Sequence, residues 1–561
     1  MRTSFIKYDL KKYAYVAVVA AMTGSMTGCQ DQLKEEVFNF YDVNEFFKNT
    51  DMLNMAVNGV YECFSDNGMY GQNWIVYDTD TDIAHVKGAG IGHVARDLGH
   101  FNAYAEHSWL EKSWELYYKA IDRANTVLEH QYDVKLEGKQ DSIYFNNLIA
   151  QTKCLRALAY FDLTILFGDV PVKLTASKDG DNFKLPRNPR SEVYDQIIAD
   201  FSEAIPHLAD KSTEERMTKG AAKGFLARTY LYRGGYSLYG TADQMTGEMK
   251  RPDNYLEYYQ KANELLTDIM NSGQHGLLDS YERVFRNMCE LTFDPFENMY
   301  EVAFFTPAGQ IGGASVMGTY NGPEIAQTSI YGRANSFIKT HHFFADYFEA
   351  GDLRKNTAVA TFRITANDAA ANTTSELAKN QSYNWSPGKW RRNWHTGAVK
   401  DNNNTDVNYV LLRYADILLM RAEVENEINN GPTTVAIECV NQVRRRAFGK
   451  PYLEANAEVD FEAGDFAGKE DFFNYLYTER ARELCFEGLR KFDLIRWNKL
   501  GFAIKETSKK FTDAIADKVL KAYTFEAGER FQAGKHELYP IPAREIRETN
   551  GALTQNPGYG K

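Results

Sequence analysis

The chain has 561 residues, a formal charge of −12, 44% apolar and 25% charged side chains. This is the composition of a folded protein rather than a disordered one, and the length is enough to bury a large core. An acidic surface repels phosphate backbones, so nucleic acid is not an expected partner and a neutral ligand suits the chain better.

The chain starts with Arg2, Lys7, Lys11 and Lys12, continues through an apolar run over residues 13–22, and reaches Met26-Thr-Gly-Cys29. A basic start, a short apolar segment and small residues before a cut site describe a secretory signal over residues 1–28. The apolar run is about half the ~20 residues needed to span a bilayer. Cys29 after small residues is similar to the lipobox of bacterial lipoproteins, with Met26 where that motif carries Leu. Removing residues 1–28 strips four cations and one acid and leaves a charge of about −15. No later segment has 18 uninterrupted apolar residues, so membrane attachment is expected through a lipid on Cys29.

Residues 29–561 read as one helical domain. Leu53, Ala56, Val57, Val60, Tyr61 and Phe64 step by three and four, as do Trp114, Tyr117, Tyr118, Ile121 and Leu128. Ser191 is placed to cap a helix striped by Tyr194, Ile197, Ile198, Phe201, Ile205 and Leu208. Further stripes run through Ala222–Thr229, Tyr258–Ile269, Leu411–Ala422 and Val435–Ala447. Small residues recur along them, among them Ala120, Ala124, Ala157, Ala221 and Ala415. The expected fold is all-α, a tetratricopeptide-like scaffold of antiparallel helix pairs without a strict repeat. Residues 66–110, 235–254, 286–340 and 365–408 break the pattern and are rich in Gly, Asn, Asp, Thr and aromatics. Irregular segments of that length inside a folded domain usually have a function.

Near the C-terminus, apolar residues Phe472, Leu476, Leu484, Leu489, Phe492 and Ile495 suggest one long helix, with charges threaded between them. Glu479 with Arg482, and Glu487 with Arg490 and Lys491, stand three or four apart and can pair along it. Phe486, Phe492 and Trp497 would expose much apolar area on a surface helix, so the helix is expected to be buried with its ion pairs packed inside.

Cys63, Cys154, Cys289, Cys439 and Cys485 show no metal spacing and read as small buried hydrophobes. No zinc-protease, phosphate-loop or nucleophile-elbow motif is present. His341-His342 reads as structural. Asp78-Thr-Asp-Thr-Asp82 resembles a calcium loop at first, but Ile83 and Ala89 stand where Gly and Glu are required, so it reads as a carboxylate-rich turn. Neither a metal nor a cofactor is expected.

Thr478-Glu-Arg-Ala-Arg-Glu-Leu-Cys-Phe-Glu-Gly-Leu-Arg-Lys-Phe-Asp-Leu-Ile-Arg-Trp497 resembles the C-terminal signature of the SusD/RagB family. Trp114-Glu-Leu-Tyr-Tyr-Lys-Ala-Ile-Asp-Arg-Ala-Asn125, Leu412-Arg-Tyr-Ala-Asp-Ile-Leu-Leu-Met-Arg-Ala-Glu423, Leu538-Tyr-Pro-Ile-Pro542 and Gln555-Asn-Pro-Gly-Tyr559 are similar to further family landmarks in the same order. The resemblance implies a surface glycan-binding lipoprotein in the outer membrane that works with a SusC-like, TonB-dependent transporter. The acidic stretch after Cys29 is like the tags that send family members to the cell's outer face.

A sugar offers a flat C–H face and a rim of hydroxyls, so a receptor stacks aromatic rings on the face and sets polar groups at the rim. Segment 78–109 supplies Asp80, Asp82, Arg96, Asn102, Tyr104 and Trp109, and the second-half loops supply Tyr320, Tyr331, Trp385, Trp390 and Trp394. The family takes ligand contacts from both regions. Other classes remain open at this point: a helical scaffold that binds only proteins, and a helical glycoside hydrolase using a carboxylate pair hidden in the sequence.

Overall fold

The apolar stripes become helices that stack on one another in chain order. The computed structural model describes residues 46–305, 314–326, 329–365, 374–397, 403–521 and 523–560. The signal segment and Cys29 lie outside the described residues. From Asn49 onward the chain forms one unit.

Helix α1 (Thr50–Phe64) starts at Asn49, whose side chain accepts the Met52 N–H, and buries Leu53, Val57, Val60 and Phe64. Then come α2 (Ser108–His130), α3 (Lys139–Phe167), α4 (Arg190–Ala204), α5 (Lys219–Gly234), α6 (Tyr255–Ser272) and α7 (Tyr281–Cys289). After the long irregular region follow α8 (Tyr414–Ile428), α9 (Thr434–Ala447), α10 (Lys469–Glu483), α11 (Arg490–Arg496) and α12 (Leu500–Ala516). Each of α1 to α5 packs on the next, α6 packs on α8, and α8 holds α9 and α10. This is the expected helical scaffold. The predicted small residues Ala120, Ala124, Ala157, Ala221 and Ala415 are all fully buried, and on α5 a Cβ on Gly224 would come within 2.5 Å of Leu412 Cδ2. Ser191 does not cap α4. Pro189 holds the cap position, and the Asp169 carboxylate accepts the Arg190 N–H at 3.1 Å in its place.

The irregular stretches are stitched by short antiparallel strand pairs. Strand β1 (Ala84–Val86) pairs with β3 (Ile338–Thr340), Ala84 opposite Thr340 and Val86 opposite Ile338. Strand β2 (Asn298–Val302) pairs with β4 (Tyr409–Arg413), which leads straight into α8.

The long C-terminal helix predicted from periodicity is two helices. Between α10 and α11 the chain turns at Phe486 (φ 64°) and Gly488 (φ 81°), both in the left-handed region. A Cβ on Gly488 would lie 2.4 Å from the Tyr409 hydroxyl, so the close approach of β4 also demands glycine. The turn redirects the charges. Glu479–Arg482 forms as expected at 3.1 Å, whereas Glu487 pairs with Lys389 at 2.5 Å and Arg413 at 2.7 Å instead of Arg490 and Lys491.

The expectation of internal ion pairs holds on a large scale. Glu483, fully buried, meets Arg446 at 2.6 Å and Arg413 and Arg354 at 3.1 Å each. Glu297 joins Arg413 and Arg446, while Asp352 and Glu479 hold the other side of Arg354. Burial pushes the Glu483 carboxyl up, but the three guanidiniums outweigh it and bring it down to about 2. A second chain of pairs runs Arg228–Asp416–Arg480–Asp493–Arg496–Glu423. Cys63, Cys154, Cys289, Cys439 and Cys485 are buried free thiols, as expected. Among the described residues no helix is long and apolar enough to cross a membrane.

Candidate functional site

Pairing of β1 with β3 brings the first irregular segment against the third. Lys87 N–H donates to the Phe337 carbonyl at 2.8 Å, and Ile338 N–H to that of Tyr320 at 2.8 Å. Three rings consequently line up. Tyr320 lies 5.5 Å from Phe337, and Phe337 lies 5.5 Å from His93. Tyr320 and Phe337 are half-buried and His93 is exposed, so part of each residue of the row is open to solvent. The Tyr320 hydroxyl accepts from Gln72 Nε2 at 3.3 Å. Asn73, the next residue, donates to the carbonyl of Trp109 at 3.2 Å, which brings the start of α2 close to the row. The ion pair of Lys87 with Glu324 (3.1 Å), about two-fifths exposed on each side, supplies charge from the same two segments. Phe337, His93, Gln72, Lys87 and Glu324 were not singled out in the sequence, where nothing marks them before strand pairing brings them together.

The predicted contacts divide sharply by burial. Asp82 is an internal anchor: Arg490 holds it with bonds of 2.8 and 2.5 Å, and the Tyr477 hydroxyl donates at 2.8 Å. Burial raises its carboxyl, yet Arg490 and Tyr477 leave it below the ordinary carboxylate value. Asp78 accepts the N–H groups of Gly488 (3.2 Å) and Lys491 (3.0 Å) at the start of α11. Asp80 (φ 56°) is fully buried. Burial pushes its carboxyl well up, against the opposing pull of Lys491, whose own pKa burial lowers to about 8. The carboxylate-rich turn therefore grips the C-terminal signature, and its acids serve different partners.

Trp390 is sealed in the core at 0% exposure, edge-on to Phe285 at 5.4 Å. Its polar neighbours misled the reading because Lys389 and Arg392 are buried as well, Lys389 through Glu487 and the Glu483 carbonyl. Asp80, Asp82 and Trp390 thus belong to the interior and not to an open face. The remaining residues keep some exposure. Arg96 donates to the Ala89 carbonyl at 3.2 Å, Asn102 to Asp97 at 3.0 Å, and Tyr104 is 43% exposed. Trp109 and Trp385 are half-buried. Trp394 and Tyr331 are half-buried in a second cluster: Arg391 lies over the Trp394 ring at 4.4 Å, and Arg392 donates to the Tyr331 carbonyl at 2.5 Å.

Two groups resemble reaction machinery. Lys339 donates to Ser336 and Ser386 at 2.8 and 3.2 Å, and burial and Lys87 bring its pKa to about 7. All three residues are buried. Glu215 and Glu301 both accept from Asn408 Nδ2 at 2.9 Å beside a cavity of about 280 Å³, and burial raises Glu301 to about 7. Its ring nearest solvent, Tyr61, is covered by Arg216 at 5.0 Å, so no stacking face is presented there.

A helical scaffold whose paired strands set out a row of open rings defines a class of binding protein, and comparison with known proteins shows which. The family model described as "SusD family" matches residues 287–559, and the one described as "Starch-binding associating with outer membrane" matches residues 31–231. The chain belongs to the SusD family. It is 25% identical to SusD-like protein P2 of Formosa agariphila over 98% of this chain and 100% of that one. A solved SusD homolog from Bacteroides thetaiotaomicron superposes with a TM-score of 0.82 at 26% identity, covering 94% of this chain and 99% of the other. A laminarin-binding SusD-like protein shares the fold with a TM-score of 0.66 at 22% identity, covering 91% and 100%.

Proposed function

We propose that this protein is a lipid-anchored outer-membrane receptor that binds an oligo- or polysaccharide without cutting it and passes it to a SusC-like, TonB-dependent transporter. The observation that carries the reading is the row of open rings at Tyr320, Phe337 and His93, with Gln72, Lys87 and Glu324 as polar groups beside it. Rings of this kind take the C–H face of a sugar, and the amide and charges take its hydroxyls. Trp109, Tyr104, Arg96 and Asn102 extend the same reading along the first segment, and Tyr331, Trp385 and Trp394 along the second. Membership of the SusD family and the "starch-binding" description of the matching model support it. The lipid on Cys29, exposure to the cell exterior and the transporter partnership rest on the signal-like start and on the family.

The test is a glycan array with the full-length protein in detergent, followed by titration calorimetry on the best ligand. Trp109→Ala and Tyr320→Ala are each expected to weaken binding by roughly 1–3 kcal/mol, the size of a stacking contact. Reducing-sugar release is expected to stay at background. Failure to bind any glycan on the array would return the protein to the class of protein-only scaffolds. Cys29→Ala is expected to release the protein from the membrane fraction.

A further inference from the structure

A second groove, of about 460 Å³, runs between the 103–106 turn and the C-terminal tail and shares no residue with the Tyr320 row. Its volume suits one or two sugar rings. Of the predicted contacts, Tyr104 lines it, exposed on one wall. The opposite wall carries Lys535, Ile546, Arg547 and Tyr559. The walls are tied: Ala543 N–H donates to the Ala105 carbonyl at 2.8 Å, the Tyr559 hydroxyl donates to the Leu538 carbonyl at 2.8 Å, and Arg187 holds Asn556 at 2.6 Å. The groove is thus set before any ligand arrives.

What sets it apart is its charge. Many buried guanidiniums of this protein meet carboxylates, as Arg354, Arg413, Arg446, Arg480, Arg490 and Arg496 do. Among the described residues, Lys535 and Arg547 meet none. Lys535 is half-buried over the Tyr559 ring at 4.8 Å, and burial holds its pKa below the ordinary lysine value. Arg547 extends from the short helix Ala543–Glu548, exposed and without an ion pair among the described residues. The sole carboxylate among the lining residues is Glu106, on the exposed rim. Two cations left without counter-charges in a chain of −12 mark a place where an anion is wanted. The ring of Tyr104 and the side chain of Ile546 add apolar surface beside them, which a bare ion would not use.

We infer that this groove binds an acidic sugar residue, with its carboxylate or sulfate between Lys535 and Arg547 and its ring against Tyr104 and Ile546. The protein would then hold an acidic polysaccharide at a point apart from the Tyr320 row. Arginine suits a planar or tetrahedral oxyanion through paired N–H donors, and lysine supplies a point charge.

The experiment titrates the full-length protein, in detergent, with trigalacturonate, with sulfated maltotriose and with maltotriose. Expected is binding of at least one acidic probe more tightly than maltotriose, weakening as NaCl rises from 50 to 500 mM. The paired substitution Lys535→Gln with Arg547→Gln should lower that affinity about tenfold or more, the size of one to two charged hydrogen bonds. Tyr320→Ala should leave it unchanged. The two acidic probes distinguish carboxylate from sulfate. Equal affinity for all three probes overturns the inference, as does an acidic-probe affinity that survives the paired substitution or falls with Tyr320→Ala. Thermal melts of the variants show whether each remains folded. Failure of neutral-glycan binding at the Tyr320 row would count against the proposed function and leave this result standing.

Discussion

Asp82→Asn separates a structural acid from a ligand contact. The side chain keeps its size but loses the charge that answers Arg490, and both groups are buried, at 5% and 2% side-chain exposure. Two short bonds to the guanidinium and one from the Tyr477 hydroxyl are weakened together. Leaving one partner of a buried pair uncompensated costs about 3–5 kcal/mol. Urea unfolding followed by circular dichroism at pH 7 should show that loss, with little change in the slope of the transition. Arg490→Met in the Asp82→Asn background should recover part of it, because the stranded cation is gone. The folded-state pKa of Asp82 lies below its unfolded value, so the pair's stabilisation is present above about pH 4 and is lost as the pH falls through the folded value. The deficit of the variant should therefore shrink in acid. At pH 7, below the unfolding midpoint, glycan affinity should match that of the wild type. A variant that melts like the wild type but no longer binds glycan would refute the assignment of Asp82 to the interior anchor.

Trp390→Ala should cost about 3–5 kcal/mol in the same unfolding assay, the range for emptying a large buried aromatic site, while the folded protein keeps its glycan affinity. Asp162 is buried beneath the Tyr70 hydroxyl, which donates to it at 2.6 Å, and burial raises its carboxyl to about 8. An acid raised on folding favours the native state most below its unfolded pKa, and that favour is lost as the pH rises through the folded value. The wild type should thus lose up to about 1.4 kcal/mol per pH unit from this group between roughly pH 4 and 8. Asp162→Asn should flatten that slope in pH-dependent melts, and an unchanged slope would show that the group is not neutral in the native protein.

Helix positions were readable because an amphipathic stripe is a local property, repeated every three or four residues. The break at Phe486–Gly488 was not, since apolar spacing runs on through Leu484, Leu489 and Phe492 while the backbone turns. The site was legible in part. Tyr320 and Tyr104 stand in irregular segments, Trp109 stands in the first turn of α2, and all three keep exposure. Asp82 looks the same in the sequence whether it faces water or Arg490, because its partner is 408 residues away. Polar neighbours also gave a false sign at Trp390, as Lys389 and Arg392 are themselves inside. Phe337 and His93 needed the β1–β3 register before they could be placed beside Tyr320.

The clasp between the first irregular segment and the last signature also governs when this molecule becomes usable. Asp78 and Asp82 are made early, but their partners Gly488, Arg490 and Lys491 leave the ribosome some 400 residues later. At about 5–20 residues per second this is a delay of roughly 20–80 s. Throughout that interval the acids of the turn are without these partners. The turn can therefore reach its native contacts only when the tail has been delivered.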